Sequence, residues 1–105
     1  MIQIISHNAE TILERFHQHL AANGKFSDVV IGGYIATVRD FASWYESYMG
    51  ECFRFGSISA FALFPYQTAL QERGLKSLTV KKQIAILKIL FEWAATAAAP
   101  SEASS

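Results

Sequence analysis

The strongest constraint on this chain is a long amphipathic repeat set between two punctuation marks. From Asp28 to Met49 apolar side chains recur at steps of three and four, through Val30, Ile31, Tyr34, Val38, Phe41, Tyr45 and Tyr48. Such steps turn one side of an α-helix toward a core. Ser27 stands where an N-cap hydroxyl is wanted, Asp28 suits the positive end of the helix dipole, and Gly50 offers a left-handed stop. The β-branched opening and Gly32-Gly33 weaken the first turns. A short strand over 29–31 is the alternative there, but the length of the period favours helix.

Three more stretches repeat the theme. A first helix is expected from about Ala9 to Ala22, capped by Asn8 or Ser6, stopped by Asn23-Gly24, with Ile12, Leu13, Phe16 and Leu20 inward. A weaker third helix carries Phe61, Leu63, Phe64, Tyr66 and Leu70. Ser57 or Ser59 would cap it, Pro65 would lie in its first turn or kink it, and Gly74 would close it. A fourth runs from about Thr79 to Ala95, with Ser77 or Leu78 near its cap. Val80, Ile84, Leu87, Leu90, Phe91 and Ala94 face inward there, and Lys81, Lys88 and Glu92 face outward with Lys82 at the edge. The expectation is an all-α fold.

Size and composition suit this. At 105 residues, 51% hydrophobic and 17% charged, the chain has material for one domain with a real core. The longest apolar candidate, Ile84 to Ala99, is interrupted by Lys88 and Glu92 and is too short to span a membrane. The opening MIQIISHNAE lacks the basic and apolar regions of a signal peptide. Cys52 is the lone cysteine, which rules out an internal disulfide and fits a reducing, cytoplasmic setting.

The net charge is zero, but the charges are not evenly spread. Arg73, Lys76, Lys81, Lys82 and Lys88 fall in a stretch from Arg73 to Phe91 that contains no Asp or Glu. Glu10, Glu14, Asp28, Asp40, Glu46, Glu51 and Glu72 precede it, and Glu92 and Glu102 follow. A neutral chain can thus carry a basic face.

Three blocks of the sequence resemble the N-terminal core-binding, or SAM-like, domain of tyrosine recombinases of the phage integrase family. They are LERFHQHLAANGKFS, FSDVVIGGYIATVRDFASWY and YQTALQERGLKSLTVKKQIAILKILFEWA. In the second, Phe26-Ser27, Tyr34, Val38, Phe41 and Trp44 match the family's Leu-Ser, Tyr, Leu, Phe and Trp. In the third, the Arg73-Gly74-Leu75 step, Thr79-Val80, the basic pair Lys81-Lys82 and the Trp93-Ala94 ending match in order. The resemblance implies a four-to-five-helix orthogonal bundle made of two crossed helix pairs, which grips double-stranded DNA together with a separate catalytic domain and other recombinase protomers. It implies that residues 1–95 are the DNA-binding domain and 96–105 a linker or disordered tail toward that catalytic domain. The family's catalytic Arg, basic residue, His-x-x-Arg and nucleophilic Tyr belong to that second domain and have no counterparts here. No catalytic residue, cofactor or metal is expected in this chain, and its origin would be bacterial, phage or mobile-element.

Each candidate contact has an ordinary counterpart. Lys81, Lys82 and Lys88 would neutralise phosphates, or else form a solvated face. Lys76, Ser77 and Thr79 open the same helix, where amides and hydroxyls can hold a phosphate. Arg39, on a helix-two face with small neighbours Gly32, Ala36 and Ser43, would contact a base or phosphate, or else pair with Asp40 or Glu46. His17 and His19, two apart, point to different faces and do not chelate one ion. Tyr34, Trp44, Tyr45 and Tyr48 sit on or beside the apolar face, so core packing is expected of them rather than base stacking. Tyr66 lacks an activating Arg–His set and is set aside as a nucleophile. The function expected is DNA binding within a site-specific recombinase. The alternative is a helical protein–protein interaction domain with a basic docking face.

Overall fold

The computed structural model describes the backbone of residues 5–54 and 60–104 and the side chains of 5–54 and 61–96. Four α-helices account for most of it: α1 His7–Asn23, α2 Asp28–Met49, α3 Leu63–Glu72 and α4 Ser77–Ser104, with a 3-10 turn over Ala60–Ala62 leading into α3. No strand occurs among the described residues, and 29–31 is the first turn of α2. Ser57 and Ser59, the caps expected for α3, lie outside the described residues. No helix among the described residues is long and apolar enough to cross a membrane.

The chain divides into two compact units, Met1–Arg54 and Phe55–Ser105, where composition suggested one domain. In the first, α1 packs on α2, and in the second, α3 packs on α4.

Local chemistry sets the helix limits in the first unit. The Ser6 hydroxyl accepts from the Ala9 amide and starts α1, and the Ser27 hydroxyl accepts from the Val30 amide and starts α2. Gly24 and Gly50 end these helices at φ of 75° and 73°, in the left-handed region. The buried side chains are Ala9, Ile12, Leu13, Phe16 and Leu20 from α1 and Ile31, Val38, Phe41, Ala42 and Tyr45 from α2. The outer members of the α2 stripe run past the core, since Val30 and Tyr48 are exposed. Beyond Gly50 the chain folds back, and Phe53 is fully buried. Its ring stands edge-on to Phe41 at 5.6 Å and to Tyr45 at 5.5 Å, an arrangement favoured by the ring quadrupoles.

The second unit is a helical hairpin. Tyr66 and Leu70 of α3 and Val80, Leu87, Leu90 and Ala94 of α4 are buried, with Ile84 and Phe91 half-buried. The turn between the helices is a Schellman motif: the Leu75 amide donates to the Leu70 carbonyl and the Gly74 amide to the Gln71 carbonyl. Gly74 has φ 83°, as that motif requires. The Val80 amide donates to the Lys76 carbonyl, so α4 begins at Ser77, two residues before the expected Thr79.

The largest departure is at the far end of α4. The segment after Ala95, expected as a linker or fraying tail with a break at Pro100, is helical to Ser104. Its alanines carry the highest intrinsic helix propensity, which sustains the helix past a residue that removes one backbone donor. A helical segment can still act as a spacer.

These features separate two kinds of substitution. Phe53→Ala removes a fully buried ring and is expected to cost about 3–5 kcal/mol in urea unfolding. A Cβ at Gly50 would meet no described atom within 4 Å. Gly50→Ala therefore should cost only the left-handed backbone penalty of about 1–2 kcal/mol.

Candidate nucleic-acid interface

Periodicity puts the lysines of α4 on its outer face, and the structure leaves them there. Lys76, Lys81, Lys82 and Lys88 are all exposed, as is Ser77, with Thr79 half-buried. None of the four lysines makes an ion pair among the described residues, in contrast to Arg39, which pairs with Glu10. Lys81 and Lys88, seven apart, fall on the same side after two turns. Together with Gln67 of α3 they wall an open groove of about 260 Å³ floored by Val80, Ile84 and Ala85.

Charge divides between the units in the same sense. Met1–Arg54 contains six acids and four Lys or Arg, a formal −2, while Phe55–Ser105 contains three acids and five Lys or Arg, a formal +2. The lysines therefore sit on the unit whose own charge favours an anion.

Arg39 differs from the other candidates. It lies on α2 in the first unit, and both its terminal nitrogens donate to Glu10 of α1, at 3.0 and 2.9 Å. Its partner is not Asp40 or Glu46, as neighbours in sequence suggested, but a residue 29 positions away. The hydrogen bonds from Arg39 hold the Glu10 carboxyl below the usual value of 4.5, and Glu10 in turn raises the guanidinium. The Arg39 and Glu10 side chains are 31% and 49% exposed, so the pair contributes only about 0.2–1 kcal/mol. To contact DNA, Arg39 would first have to leave a bidentate partner. The groove beside it is lined by Glu10, Leu13, Glu14, His17, Ile35 and Arg39, so two carboxylates share it with the guanidinium. The small face of α2 is bare surface, because a Cβ at Gly32 or Gly33 would meet no described atom within 4 Å.

His17 and His19 are both exposed, and His19 stacks on Phe16. Tyr66 is fully buried, its hydroxyl 3.5 Å from the Gln83 side-chain oxygen. Trp44 and Tyr48 stack at 4.9 Å, with Tyr48 61% exposed, so that ring lies outside the core where packing was expected.

Glu46, counted on sequence only as an acid or a neighbour for Arg39, has a specific structural role. Its carboxylate accepts from the Ser6 amide at 2.9 Å, from the Ser6 hydroxyl, and from the Phe53 amide at 2.8 Å. Burial alone would raise its pKa, but these three donors outweigh that and bring it below 4.5. Nothing in the sequence near Glu46 marks it, since its partners lie 40 residues before and 7 after.

Comparison with protein-family models, with curated proteins and with solved structures gave no match.

Two outcomes follow from the carboxylates. Glu46→Ala should destabilise the chain by about 1–3 kcal/mol at neutral pH, since it orphans charge-assisted donors. Because the folded-state pKa lies below the unfolded one, the Glu46 contribution is complete above about pH 4.5 and is lost as pH falls through the folded value. The gap between the wild type and Glu46→Ala should therefore narrow below pH 4.5 in denaturation curves. Glu10→Gln, by contrast, should change stability by less than about 1 kcal/mol.

Proposed function

We propose that this chain is a nucleic-acid-binding module, with the α3–α4 unit as its DNA-facing part. The observation that carries the reading is the outer side of α4: Lys81, Lys82 and Lys88 are exposed and unpaired, Lys76 is exposed just before the helix, and all four fall in a stretch without acids. Such a face gains affinity by releasing counterions from phosphates, without reading sequence. Ser77 and Thr79, in the first turn of α4, can add hydroxyl contacts to a phosphate.

The finer reading is a core-binding domain of a tyrosine recombinase, acting beside a catalytic domain and other protomers on double-stranded DNA. It rests on the three sequence blocks and their order. An all-helical chain with α1 on α2 and α3 on α4 is compatible with the SAM-like bundle of two helix pairs. In this reading the contacts come from Lys76, Ser77, Thr79, Lys81, Lys82 and Lys88. Arg39 is a contributor only if Glu10 releases it. The chain itself supplies no cleavage chemistry.

A titration of duplex DNA at two salt concentrations tests the module. With about three to five phosphate contacts, log affinity should fall with log salt at a slope of about −3 to −4.5, and binding should be micromolar or weaker at physiological salt. Replacing Lys81, Lys82 and Lys88 together by Ala should abolish binding while leaving helicity and melting nearly unchanged. Binding unaltered in that variant, or absent at low salt, would sink the reading in favour of a protein-docking domain.

A further inference from the structure

Two phenylalanines of the second unit stand almost entirely in solvent: Phe61 is 90% exposed and Phe64 79%. Phe61 lies in the 3-10 turn and Phe64 in the first turn of α3. A spacing of three places their side chains one above the other on the helix surface. Gln67, three residues further along this ridge, reaches the groove walled by Lys81 and Lys88. The line Phe61, Phe64, Gln67 therefore leads toward a cationic groove with an apolar floor and no acid in its lining, and Gln67 is its member that lines the groove.

Aromatic faces beside unpaired amines are the combination that holds a single strand. The amines attract the phosphates, and the rings take the exposed faces of the bases. A closed duplex offers those faces only where its stack is opened. We propose that the Phe61–Phe64 ridge and the Lys81–Lys88 groove form one seat for unpaired nucleotides, with bases stacked on the rings and the backbone along the groove. The proposal rests on the nucleic-acid reading above and sharpens it, because the preferred ligand then has exposed bases.

The test separates bases from phosphates. Fluorescence anisotropy would compare an oligothymidylate of about 16 nucleotides with an abasic strand of equal length and with a duplex. The wild type should bind the thymidylate at least about fivefold more tightly than the abasic strand. Phe61→Ala with Phe64→Ala should erase that preference while keeping the salt-dependent binding of the abasic strand. Both side chains are exposed, and circular dichroism would verify that the variant remains folded. Equal affinity for the two strands, or a preference that survives in the double variant, overturns the stacking seat and leaves duplex binding standing. No salt-dependent binding to any of the three overturns the nucleic-acid reading as well. Sedimentation with phosphatidylserine vesicles that requires the phenylalanines, in the absence of strand binding, would reassign the surface to a membrane and overturn both.

Discussion

The Glu46 carboxylate is the contact on which the first unit depends. It sits near the end of α2, yet it holds the residue that caps α1 and the segment that brings Phe53 under the aromatic side of α2. Ser6 is used twice: its hydroxyl donates to Glu46 and accepts from the Ala9 amide that begins α1. One half-buried charge thereby ties a helix start to the segment that carries a buried ring. A neutral acceptor could satisfy the same donors, but charge-assisted bonds are roughly twice as strong as neutral ones. That difference matters in a unit of about fifty residues with a small core.

Helix boundaries were readable in the sequence where one residue and its immediate neighbours decide them. Ser27, Gly24, Gly50 and Gly74 act within a single turn, and all four stand where capping chemistry places them. The outward position of Lys81, Lys82 and Lys88 followed from the 3.6-residue period, which depends on nothing outside α4. What escaped were contacts made by chain reversal. Glu10 meets Arg39 because α1 packs on α2, and Phe53 is buried because the chain doubles back, with no periodic pattern around it to announce that. The continuation of α4 beyond Ala95 was missed for a different reason: alanine-rich sequence lacks the large apolar residues that periodicity needs, yet it is the best helix former.

A formal charge of zero conceals opposite balances in the two units. The same number of lysines scattered among acids would be neutralised locally, as Arg39 is by Glu10. On α4 the helix period exposes them, and the one acid near them along the helix is Glu92, a turn beyond Lys88. The sum therefore says little about which surface an anion would meet, and screening over about 8–10 Å in ordinary buffers keeps each patch electrostatically local.

The helical rise of α4 also sets a length scale. Lys81 and Lys88 are separated by seven residues, and a helical rise of 1.5 Å per residue sets their backbone positions about 10.5 Å apart. A ligand that engages both amines from one side meets two charges rooted on that interval, each on a flexible four-carbon stem. Stacked nucleotides advance about 3.4 Å each, so the interval corresponds to about three of them. The helix thus sets the two side chains apart by about the rise of three stacked nucleotides.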